Sequence, residues 1–179
     1  MMKLTDLAAA GLISLALGSA AFAAGSGTAP SPTSTTEDCK DGQIWDKEAK
    51  KCVKAESAMF DDDTLYRNAR EFAYAGQYDN AINLLKLAQN QDDPRIMTYY
   101  GFAHRKAGRV ALGMQYYADV LAKHPDYTLA RAYYGQALIL QGDREGAKAQ
   151  LVKIAALEGT QTYAYTELAN ALNSGYVSY

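Results

Sequence analysis

The sequence predicts an all-α fold: an α-α superhelix of three helical hairpins with a C-terminal capping helix, preceded by a small disulfide-closed β-hairpin. Three observations lead there. Tyr99-Tyr100-Gly101 recurs as Tyr133-Tyr134-Gly135, 34 residues later, which is the period of a stacked two-helix repeat. Gly76, Gly108 and Gly142 stand at corresponding places between amphipathic stretches, where paired helices need a turn. Ahead of the repeats lie two cysteines, Cys39 and Cys52, the only ones in the chain.

Composition limits what such a chain does. Its 179 residues, 49% hydrophobic and 21% charged, suffice for one domain with appendages. A net charge of −2 does not suit a nucleic-acid binder, which needs a concentrated basic face. Fourteen tyrosines against one Trp and four Phe suggest helix contacts that combine apolar rings with hydroxyls.

From the N-terminus, Lys3, the apolar run Leu7 to Leu17 and Ala21-Phe22-Ala23 read as a signal peptide over 1–23, cleaved at about Ala23 or Ala24. The alternative is a retained anchor, which the Gly and Ala content makes poorly hydrophobic. Residues 24–37, rich in Ser, Thr, Gly and Pro, are expected to be a disordered linker. The expected location is periplasmic or secreted.

In such a compartment thiols are oxidised, so Cys39 and Cys52 are expected to form a disulfide within a hairpin over 38–56. Gln43-Ile44-Trp45 and Lys51-Cys52-Val53 would pair as strands around a turn at Asp46 to Lys50. The bond would stabilise so short a loop by about 3 kcal/mol. The C-x2-G-x2-W-x6-C-V pattern is similar to small disulfide hairpins of secreted proteins, some of which contact carbohydrate through an exposed Trp. The other reading of Trp45 is that it covers the disulfide or packs on the first repeat helix.

After a connector at 57–61, the chain aligns with itself over 62–93, 94–127 and 128–159. Leu65-x2-Asn68-Ala69-x2-Phe72 matches Met97-x2-Tyr100-Gly101-x2-His104 and Arg131-x2-Tyr134-Gly135-x2-Leu138. First helices are expected at about 62–74, 94–107 and 127–140, and second helices at about 78–90, 110–123 and 144–157. Asp61-Asp62-Asp63 reads as helix capping rather than a calcium loop. Pro94 and Pro125 are expected to end second helices. Tyr165-x2-Leu168-Ala169-x2-Leu172 repeats the first-helix pattern once more, so 160–179 is expected to be a capping helix and tail. These residues resemble the tetratricopeptide repeat, in three copies, with Leu65, Met97 and Arg131 where that family usually has Trp.

The resemblance implies that the first helices line a concave groove. Helical spacing then points Tyr66, Arg70, Tyr74, Arg95, Thr98, Phe102, Arg105, Lys106, Leu129, Gln136, Ile139, Asn170 and Asn173 into it. Such a surface suits a protein or peptide with acidic and apolar segments. It is not the clamp by which some relatives hold a C-terminal carboxylate, because Tyr66, Arg70, Tyr99, Leu129 and Tyr133 fill those places. His104 reads as a packed ring, and His124 as a cation near a helix C-terminus. No phosphate loop, nucleophile–base pair or paired metal ligands are recognisable, so no catalytic, cofactor-binding or metal residue is assigned.

The function expected is therefore a non-catalytic periplasmic scaffold or adaptor in envelope assembly or coordination. It would bind no cofactor and no nucleic acid, and would reach a membrane only through its partner. Two alternatives stand beside it: a cell-wall glycan binder using Trp45 and the groove tyrosines, and a self-assembling oligomer.

Overall fold

A computed structural model of the chain describes residues 29–57 and 60–177. The signal peptide expected over 1–23 lies outside the described residues. Among the described residues, no helix is long and apolar enough to cross a membrane.

The first described element is a short helix, α1 (Ser34–Glu37). Strands β1 (Ile44–Asp46) and β2 (Lys51–Val53) follow, paired antiparallel with Trp45 opposite Cys52. The Cys39–Cys52 disulfide closes this hairpin, with the two Cα atoms 5.5 Å apart. The turn holds because Asp46 Oδ1 accepts from the amides of Glu48 and Ala49, both at 2.9 Å.

The linker expected to reach residue 37 stops short of Thr33. Glu71 of the first repeat helix accepts from Thr33 N at 2.8 Å and Thr36 Oγ1 at 2.6 Å. Thr35 Oγ1 donates to Asn68 Oδ1 at 2.7 Å and accepts from Trp45 N at 3.1 Å. Polar composition suggested a solvated spacer, but these hydroxyls find a buried carboxylate and an amide. Ile44, fully buried, joins the core of the first repeat. The hairpin is thus the N-terminal cap of the superhelix.

Seven longer helices follow. They are α2 (Asp62–Tyr74), α3 (Tyr78–Leu85), α4 (Pro94–Lys106), α5 (Val110–Lys123), α6 (Thr128–Leu140), α7 (Arg144–Glu158) and α8 (Tyr163–Ser174). Each first helix ends in the same way. The amide three residues past it reaches back five positions, from Gln77 to Phe72 O, Arg109 to His104 O, and Asp143 to Leu138 O. That closure needs a left-handed residue, and Gly76, Gly108 and Gly142 supply it with φ of 78°, 83° and 85°.

Helix α3 ends at Leu85, not near 90, because Asp62 accepts the amides of Gln89 and Asn90 at 2.7 and 2.8 Å and draws the chain out of helical geometry. Pro94 therefore ends nothing. It occupies the first turn of α4 behind the capping Asp93, where its missing N–H is no loss.

Consecutive first helices pack on one another, α2 on α4, α4 on α6, and α6 on α8, whereas α3, α5 and α7 make no comparable contacts among themselves. The first helices therefore line the inner, concave side. Within the middle hairpin α4 and α5 cross so closely that a Cβ on Gly113 would lie 2.7 Å from Gly101 O and 2.9 Å from Arg105 N. On α6, a Cβ on Gly135 would meet only the tip of Leu168 from α8, at 2.6 Å. Helix α8 closes the far end, burying Ala164, Leu168, Ala171 and Leu172.

These two glycines separate two kinds of close approach. Gly113→Ala must push two backbones apart and is expected to cost about 2–3 kcal/mol. Gly135→Ala presses only on the end of the Leu168 side chain and gains helix propensity, so it is expected to cost less, about 1 kcal/mol. Urea unfolding of both variants checks the order, and equal losses would contradict it.

Candidate functional site

On the inner face, the rings of three successive first helices meet. Tyr66 of α2 stands edge-on to Tyr99 of α4 with centroids 5.5 Å apart, and Tyr99 edge-on to Tyr133 of α6 at 6.2 Å. Phe102 packs between Tyr74, at 5.5 Å, and Tyr133, at 5.3 Å. Buried phenols need partners, and several find one another. Arg70 Nε donates to Tyr99 Oη at 2.8 Å, and Tyr74 Oη bonds Tyr133 Oη at 3.0 Å. Burial drives the pKa of Tyr99 and of Tyr133 well above the ordinary phenol value.

This arrangement corrects the expected open groove. Tyr66, Arg70, Thr98, Phe102, Arg105, Leu129, Gln136 and Ile139 are buried, while Tyr74 and Arg95 are half-buried. Lys106, Asn170 and Asn173 are exposed. Helical spacing identified the inner face correctly, but large aromatic side chains on a tight inner radius fill it. Thr98 turns back on its own helix, donating to Pro94 O at 2.6 Å.

Arg95 is held by Asp93 at 2.8 Å and Asp63 at 2.9 Å, with its guanidinium 4.9 Å from the centre of the Tyr66 ring. Hydrogen bonding to Asp93 raises its pKa despite partial burial. Burial pushes the Asp93 carboxyl up, but its hydrogen bonds to Arg95 and the Arg95 charge outweigh this and hold it below the ordinary carboxylate value. Asp61 caps α2 through the Thr64 amide at 2.7 Å, so each residue of the aspartate run has a structural task.

Several polar atoms on this side remain sealed from solvent without a partner among the described residues. They are Tyr66 Oη, Tyr127 Oη, Arg105 Nη2 and both amide atoms of Gln136. Tyr127, expected as the first residue of a helix and found just ahead of α6, is given no place on the inner face by helical spacing. The phenol of Tyr117, a second-helix position of the repeat pattern, reaches from α5 to within 3.5 Å of Arg105 Nε. Burial and the nearby Arg105 charge lower the pKa of Lys106.

At the mouth of the inner face the repeat places Tyr74, Lys106 and Leu140 at one equivalent position, the last residue of each first helix. Leu140 is 60% exposed. This rim joins an aromatic ring, a cation and an aliphatic side chain.

A second concavity, a cleft of about 670 Å³, lies between the hairpin and α2 with Trp45 and Phe60 on its walls. Its floor groups Glu71 and Asn68 are engaged by Thr33, Thr35, Thr36 and the Thr64 carbonyl. Trp45 is half-buried there.

Residues 104–171 match the tetratricopeptide repeat family, and the helical hairpin that precedes that stretch stacks in the same manner. Among solved structures it is similar to PcrH in complex with the chaperone binding region of PopB. The TM-score is 0.51 and the identity 17%, over 69% of this chain and 98% of that one. No curated protein matches the chain.

His104 lies on the other side of α4, half-buried and stacked on Tyr116 at 5.4 Å, with Tyr100 at 6.4 Å. Its Nδ1 accepts from Arg109 Nε at 2.8 Å, and Arg109 also holds Asp79 of α3 at 2.8 Å. Burial, then the charges of Arg109 and Lys86, lower the His104 pKa from its ordinary 6.5. The fold therefore favours the neutral ring. Stability from this group is complete above pH 6.5 and is lost as pH falls through the lower folded value. Thermal melts between neutral and mildly acid pH are expected to show this loss in the wild type and its absence in His104→Phe. Parallel curves for the two proteins would contradict it.

Proposed function

We propose that the chain is a non-catalytic scaffold that binds a segment of a partner protein on its concave face. The observation that carries this reading is the inner face itself. It ends in a rim of the half-buried Tyr74 and the exposed Lys106 and Leu140, and holds buried polar groups that lack partners among the described residues. Aromatic rings and arginine are favoured at recognition sites. The fold likeness to PcrH, a protein solved with a region of PopB, supports the same use of the surface. Envelope assembly or coordination is the process we infer, from the expected export.

The disulfide supports residence in an oxidising compartment, and we place the mature protein in the periplasm or outside the cell. The glycan reading has the Trp45 cleft in its favour. However, Glu71, Asn68 and the threonines of that cleft are already bonded within the chain, so the inner face is the better candidate.

A photo-crosslinking residue placed in the expressing cell at Lys106, Leu140 or Asn170 is expected to trap a protein partner. The same residue at Asn83, Asp119 or Val152 on the second helices is expected to trap none. Crosslinks confined to the second helices would contradict the reading. The mass of the recovered chain reads the export part, with loss of about the first 23 residues expected and a full-length mass opposing it.

A further inference from the structure

On the inner face, the buried Arg105 has no counter-charge among the described residues. The repeat position just inside the rim is filled by Ala73, Arg105 and Ile139, which are 2%, 5% and 9% exposed. Two of three copies place an apolar side chain there, so packing at this position does not require a cation. A buried guanidinium is normally paired, and even the half-buried Arg95 is held by Asp93 and Asp63.

Arg105 has no carboxylate within ion-pair distance among the described residues. Its Nε reaches Tyr117 Oη at 3.5 Å, its Cζ is 5.8 Å from the Phe102 ring centre, and its Nη2 is sealed without a partner. A water molecule could satisfy the hydrogen bond, but it brings no charge. The neighbouring Lys106 also has no ion pair among the described residues, and it adds a second positive charge at the rim.

We propose that Arg105 receives the carboxylate of an internal Asp or Glu side chain of the bound partner segment. This rests on the concave-face reading above. The guanidinium fork matches a carboxylate with two parallel N–H···O bonds. Lys106 draws the acidic segment to the rim. Tyr74, half-buried and stacked on Phe102, swings aside to admit it. The surrounding Phe102, Ile139 and Leu140 select apolar residues on either side of the acid.

The test uses the full chain and a displayed library of random twelve-residue peptides, selected separately on wild type and Arg105→Ile. Ile is what the third copy carries here, so the variant is expected to melt at or above the wild-type temperature. Wild type is expected to select one Asp or Glu flanked by apolar residues, and the variant only the apolar ones. For a peptide selected on wild type, changing its acid to the amide is expected to weaken binding tenfold or more on wild type and not at all on Arg105→Ile.

Binders without a preferred acid, or an acid-to-amide loss that persists on Arg105→Ile, would overturn the proposal alone. Recovery of no binder on either protein would overturn the concave-face reading with it. If Arg105→Ile melts well below wild type, the cation is a structural requirement and the proposal fails. Arg105→Gln, which keeps the polar packing without the charge, is measured alongside and is expected to lose the acid preference as the Ile variant does.

Discussion

The contact between Tyr99 and Tyr133 is the one on which the rest of the molecule depends. Two phenol rings from successive first helices meet edge-on at the centre of the inner face, both almost completely buried. Their hydroxyls cannot be left bare there, so Arg70 and Tyr74 of α2 reach across to bond them. One pair of rings therefore ties three helices together. It also sets how tightly the superhelix curves, since the inner radius is the width of the rings that fill it.

A solenoid built this way has two open ends, and each is closed by different means. Helix α8 repeats the first-helix pattern and turns Asn170 and Asn173 outward. At the other end, among the described residues, only the four-residue α1 precedes the hairpin. The disulfide hairpin takes that place, with Ile44 entering the core and Gly42 letting its loop approach Asn80 of α3. A two-stranded hairpin is marginal alone, and here the cross-link and the Thr33, Thr35 and Thr36 hydroxyls hold it against α2. The hairpin is thus a packing element first, which explains why Trp45 is only half available to a ligand.

Much of the scaffold was legible in the sequence because it follows from short-range rules. The α2 bounds agree with the periodic reading, and the turn glycines have the positive φ their spacing implied. The failures were of a different kind. The end of α3 is set by Asp62, whose partners lie 27 and 28 residues away. The helical turn at Ser34–Glu37 depends on Glu71, which periodicity assigned only to α2. The groove failed for a geometric reason: spacing reveals which face a residue occupies, not how far the opposite wall stands from it. Tyr66, Arg70, Phe102 and Gln136 lie on the inner face and are nonetheless buried. The Arg105 anomaly needed both levels, since alignment shows Ala and Ile at its position and only the fold shows that its guanidinium is sealed.

The central claim is that the free chain keeps its inner face closed with its own tyrosines. An ultraviolet tyrosinate titration of the folded protein measures this directly. Burial holds Tyr99, Tyr117 and Tyr133 above the ordinary phenol value of 10.0, so these phenols should stay un-ionised until the chain unfolds in alkali, then ionise together with the loss of helical circular dichroism. Ionisation of every tyrosine near the ordinary value while the helices remain intact would contradict the account, because it would mean that the inner face stands open to water.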